Sequence, residues 1–160
     1  MILRDIINMA DTSPFADWMR STGWVWPTLE IMHLYGMILL VGGVLIFDLR
    51  VLGFTPDVPL TVAAGLLNLA LVGGAMNILT GSLLVLGDLN TFINNPALWL
   101  KLSLIAAAGL NALFFTIYIH RGPANRIMGR AAHISAALSL AFWAGVIILA
   151  RFISYTESFT

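Results

Sequence analysis

The chain contains no cysteine. Disulfides, thiolate metal centres, iron–sulfur clusters and thioether-linked haem are therefore excluded. Charge is scarce as well: of 160 residues eight are basic and eight acidic, and they cancel to zero. A soluble domain carries about 25% charged residues. Here the share is 10%, against 59% apolar residues, so neither a water-soluble globule nor a disordered chain fits. Zero net charge also removes the basic footprint that nucleic-acid binding needs. Phosphate loop, nucleophile elbow, His-Glu-x-x-His and paired-carboxylate motifs are all missing, so no catalytic residue is assigned and the chain leans away from being an enzyme.

What is present is long uncharged sequence. Uncharged runs of 17, 30, 19 and 20 residues separate Glu30 from Asp48, Asp57 from Asp88, Lys101 from Arg121 and Arg130 from Arg151. A hydrocarbon core about 30 Å thick needs roughly 20 helical residues. The spacing predicts an all-α fold, a transmembrane antiparallel four-helix bundle with helices over about 24–50, 60–87, 97–120 and 131–154. The runs are apolar all round, unlike surface helices of soluble proteins, and lack the alternation of barrel strands. Gly53, Pro56 and Pro59, then Asn94-Asn95-Pro96, then Gly122-Pro123 punctuate the connections. Short connections make the four helices antiparallel neighbours within one domain, 23–156.

Residues 1–22 form a separate amphipathic segment. Arg4, Asp5 and Asp11 interrupt its apolar residues, so it is no signal peptide. Ser13-Pro14 is an N-cap and first-turn pair for a short helix carrying Phe15, Trp18 and Met19. Such pieces suit an interfacial helix on the bilayer or a frayed terminus. Trp24, Trp26 and Trp99 mark one headgroup level. That side, with both termini, is face A; the opposite side is face B. The 121–130 connection on face B carries Arg121, Arg126 and Arg130 without an acid. The positive-inside rule then places face B in the cytoplasm of a bacterial inner membrane and both termini in the periplasm.

The ionisable residues within the spans are the candidates for chemistry, because charges there are costly and face a bundle interior or a cavity. Glu30 and His33 adjoin on helix 1 at i and i+3. Helix 3 brings Lys101 to a similar depth, helix 4 brings Arg151 and Tyr155 back to face A, and helix 2 adds Asn77 and Thr80. Glu30, His33, Lys101, Arg151 and Tyr155 are expected to form one cluster. It reads either as an ion pair of Glu30 with Lys101 or Arg151 that fixes helix register, or as a binding site built on His33. An imidazole at this depth can ligate haem iron or another metal, or hydrogen-bond a quinone, with Glu30 orienting it. Met76 would be the second iron ligand within the chain.

On face B, Asp48 and Arg50 are two residues apart and point to different sides; Asp48 is expected to meet the basic 121–130 loop. His120 and His133 sit at the aqueous boundary, in the leaflet opposite His33, which rules out a two-histidine haem within one chain. Asn68 and Asn111 read as interhelical hydrogen bonds, and the register from Gly65 through Gly73, Gly74 and Gly81 as a helix contact surface. Seven methionines include Met32, Met37 and Met76 in spans, where methionine is chiefly a core filler.

The run Glu30-Ile-Met-His33, Gly36, Gly42, Asp48-Leu-Arg50-Val-Leu-Gly53, Asn95-Pro96 with Lys101 and Asn111, and Ser139-Leu-Ala-Phe-Trp143 with Arg151-Phe-Ile-Ser-Tyr155 resembles a family of bacterial four-helix integral membrane proteins of uncharacterised function. The likeness spans residues 24–155. It departs from that pattern at Ala150, where the family has glycine, and at Phe114-Phe115-Thr116, where it has a histidine. A looser similarity, in helix count and sparse histidines, links it to copper-resistance membrane domains and small b-type cytochromes. Three classes of function follow: a redox subunit holding haem b or a quinone near His33, a small-solute or metal-ion transporter, and a structural or assembly subunit. Each implies partners in the membrane, either other subunits or further copies of the chain. The preferred reading is a non-catalytic inner-membrane subunit of a larger complex.

Overall fold

The computed structural model describes residues 2–120 and 129–156, the side chains of 2–4, 6, 119, 120 and 153–156 excepted. Helices α1 (Ile2–Asp11) and α2 (Pro14–Ser21) precede the long α3 (Val25–Val51) and α4 (Leu60–Gly87). A six-residue helix, α5 (Leu89–Asn94), leads into α6 (Pro96–Phe114), which widens into a π-helical turn over Phe115–His120, and α7 (Arg130–Thr156) follows. Val25–Val51, Leu60–Gly87, Pro96–Tyr118 and Arg130–Phe152 are long and apolar enough to cross a membrane, with mean hydropathy of 1.8 to 2.0. The protein is therefore an all-α, multi-pass membrane bundle. Between 6% and 28% of each apolar stretch is buried within the chain, so most of its apolar surface faces the bilayer.

Local chemistry sets the boundaries. Ser13 accepts a hydrogen bond from the Ala16 amide to cap α2, and Asn95 does the same for Ala97 ahead of Pro96 in α6. Gly53, at φ +86°, closes α3 by a paired turn in which its own amide bonds Arg50 O and the Phe54 amide bonds Leu49 O. A left-handed residue here frees those carbonyls to accept, and glycine adopts it without steric cost. The connection expected between the second and third spans contains a helix of its own, α5. Asp88 caps it by accepting from the Thr91 amide, a pattern too short for periodicity to reveal.

The four spans pair as two hairpins. α3 packs chiefly on α4, and α6 on α7; the hairpins meet along α3 and α7, whereas α4 and α6 barely touch. The helix contacts run in the order α4, α3, α7, α6. Glycine explains the tight α3–α4 pair. A β-carbon on Gly73 would lie 2.5 Å from the Gly36 carbonyl oxygen, and one on Gly43 would lie 2.6 Å from that of Leu66. Gly65 and Gly42 have nothing within 4 Å, so the contact register runs through Gly36, Gly43 and Gly73 and leaves Gly65 out. The glycines most engaged in packing thus serve the chain's own hairpin.

At face B, Phe47, Val51, Ala63, Ala132 and Ala136 form the core cluster, with Phe115 edge-on to Phe47 at 5.3 Å. Asn111 and Ser135 exchange two hydrogen bonds of 2.9 Å between α6 and α7. Asn68 does not fit the interhelical role expected of it. It is exposed on α4 and makes no hydrogen bond to a described residue, because α4 turns this face away from its neighbours. At face A the N-terminal helices are tied down. The Arg20 guanidinium donates to Gly87 O at 3.0 Å, to Asp11 O at 2.6 Å and to Asp17 Oδ1 at 3.0 Å. A cation on the last carbonyls of α4 also complements that helix dipole, and the bond to Asp17 pushes the Arg20 pKa further up.

Candidate functional site

His33 projects from α3 into the α3–α4 interface. Its Nδ1 lies 2.9 Å from Thr80 Oγ1 on α4, and Gly81 leaves room for the ring, since a β-carbon there would come 3.2 Å from His33 Cε1. Thr80 is 1% exposed, and its hydroxyl donates to Met76 O at 2.7 Å, one turn back. A hydroxyl has one proton to give. With that proton on Met76 O, Thr80 Oγ1 accepts from His33 Nδ1–H. In the neutral ring Nε2 therefore carries the lone pair, and it has no hydrogen bond to a described residue.

Lys101 comes from α6. It is half-buried, close enough for its charge to act on His33. Three helices thus contribute: α3 the imidazole, α4 the hydroxyl that fixes its tautomer, and α6 an ammonium. An apolar depression of about 210 Å³ also lies at face A, lined by Phe15, Trp18, Met19, Trp24 and Val25 among others.

The other expected members stand apart. Glu30 is exposed and accepts from the Trp26 indole Nε1 at 3.1 Å on its own helix. Among the described residues the ion pairs are those of Arg20 with Asp11 and Asp17, so the expected pairing of Glu30 with Lys101 or Arg151 is not formed. Nor does Glu30 orient His33; Thr80 does. Three residues along a helix leave the two side chains about 60° apart in direction, and with His33 pointing at α4 that offset puts Glu30 at the exposed edge. Arg151 is exposed near the end of α7. Tyr155 lies on the same helix, and its side chain falls outside the described residues. Met76 enters through its carbonyl. No group of three or more His, Cys, Asp or Glu suited to a metal occurs among the described residues.

On face B, His133 Nδ1 lies 3.0 Å from Gly129 O, and the side chain of His120 is outside the description. Arg50 donates to Val58 O. The 121–128 stretch, where the sequence places the cations for Asp48, lies outside the described residues; among those described, Asp48 has Ser139 on α7 as its hydrogen-bonding neighbour. The position of Asp48 within the hairpin contact was not legible in spacing, because Ser139 belongs to a stripe that reads equally well as ordinary packing.

No family model, curated protein or solved structure matches the chain.

Proposed function

We propose that the site at His33 binds the headgroup of a lipid-soluble quinone, in an integral membrane subunit of a larger redox assembly. The observation that carries this reading is the contact of 2.9 Å between His33 Nδ1 and Thr80 Oγ1. With Nδ1–H committed to Thr80, Nε2 can accept the O–H of a quinol, and the Lys101 ammonium supplies a donor for a carbonyl oxygen. The spans that carry both groups are apolar and little buried within the chain, so they lie in the phase in which such a ligand travels. A bacterial inner membrane with both termini periplasmic belongs to the same reading, as does membership of the four-helix family that the sequence resembles.

A haem b reading draws on the same tautomer, since an axial histidine ordinarily donates its other N–H to a neighbour. Iron would take His33 Nε2, with Met76 as the second ligand and Lys101 or Arg151 near the propionates. The quinone needs no second ligand and is preferred.

Titrating the purified protein in nanodiscs with a decyl-substituted benzoquinone tests the proposal. Loss of a hydrogen bond that leaves a buried partner unsatisfied costs about 1–3 kcal/mol. His33→Ala and Lys101→Ala should thus each weaken binding by roughly tenfold or more while helicity is retained. Wild-type affinity in His33→Ala would overturn the assignment. A Soret band that His33→Ala abolishes would replace quinone by haem.

A further inference from the structure

A second buried ionisable group lies at the other end of α3 and plays no part in the His33 site. Asp48 is 5% exposed, and its Oδ2 is buried without a hydrogen-bond partner. The polar group facing it is the Ser139 hydroxyl on α7. The core cluster at this end of the bundle is apolar. α4 contributes Leu60, Ala63, Ala64 and Leu67 to this end of the bundle, α7 contributes Ala132 and Ala136, and the π-helical turn contributes Phe115.

No described cation compensates it. Arg50, two residues along the same helix, donates through Nε to Val58 O, and His133 Nδ1 on α7 lies against Gly129 O; neither is among the groups that act on the carboxyl. Among the described residues, no charge on the helices packed against α3 acts on the carboxyl. Asp48 also lies in the last turn of α3, where the helix dipole disfavours negative charge. An isolated carboxylate in such a place is far costlier than a neutral acid with one unsatisfied carbonyl oxygen.

We propose that Asp48 is a proton-binding site: in the resting protein its carboxyl is a neutral acid that donates to Ser139, and it exchanges that proton with the face-B aqueous phase when the α3–α7 seam admits water. The seam is the main junction between the two hairpins, so occupancy of this one proton bears on how they are held together. The site is independent of what the His33 site binds.

Infrared spectroscopy of the full chain in nanodiscs at neutral pH tests this directly. The wild type should show a carboxylic-acid C=O band that Asp48→Asn removes, that shifts slowly in D2O, and that is lost at alkaline pH. Ser139→Ala, which leaves the carboxyl in place, should keep the band and move it to higher frequency as the hydrogen bond disappears. Spectra of the wild type and Asp48→Asn with the same acid bands at neutral pH would mean an ionised Asp48 and overturn the proposal. Loss of the band on adding sodium or lithium at constant pH would overturn it in favour of a metal cation.

Discussion

His33 shows how one hydroxyl can decide what an imidazole is able to do. Thr80 donates to Met76 O at 2.7 Å and faces His33 Nδ1 at 2.9 Å, so its oxygen has only acceptor capacity left for the ring. Thr80→Val keeps the shape of the side chain and removes that acceptor. In nitrogen NMR of the labelled protein, the wild-type ring should be protonated at Nδ1, and the variant should shift toward the Nε2-protonated form. The variant should also lose about 1–3 kcal/mol of stability if the ring N–H stays buried and unpaired. An unchanged tautomer would show that another group sets it.

At the scale of elements, backbone proximity holds α3 to α4. In a bilayer, apolar side chains gain little by leaving lipid, so close van der Waals packing and interhelical hydrogen bonds carry association. Gly73→Ala would put a β-carbon 2.5 Å from Gly36 O and 2.6 Å from the Leu40 amide nitrogen. Backbone atoms cannot yield as a side-chain tip can, so the helices must part, at about 1–3 kcal/mol for overpacking of this kind. Gly65→Ala, with nothing within 4 Å, should change stability by no more than about 0.5 kcal/mol. Reversible unfolding in mixed micelles separates the two. Equal effects would mean that the crossing is not held by glycine contact.

For the molecule as a whole, the four spans require the termini to share one side of the membrane and the 3–4 connection to lie on the other. Arg121, Arg126 and Arg130 in that connection favour the cytoplasm. Compartment-sensitive reporters should therefore find both termini outside and the connection inside. Termini on opposite sides would contradict the helix count, and a cytoplasmic signal from both would reverse the orientation.

The uncharged runs bounded by Glu30, Asp48, Asp57, Asp88, Lys101, Arg121, Arg130 and Arg151 were enough to place all four spans. Spanning length and the cost of charge in lipid are one-dimensional constraints, and they can be read along the chain. The same logic brought His33 and Lys101 to one leaflet. It could not say which way a helix is rotated, so Glu30 was grouped with His33 although it faces outward, bonded to Trp26. Rotation is decided where helices meet, at Gly36 against Gly73 and at Asn111 against Ser135. Only the tertiary structure therefore chose Thr80 as the partner of His33, left Asn68 on the outer face, and enclosed Asp48 opposite Ser139. Contact between helices depends on rotation and neighbour order, and a string of uncharged residues carries almost no record of either.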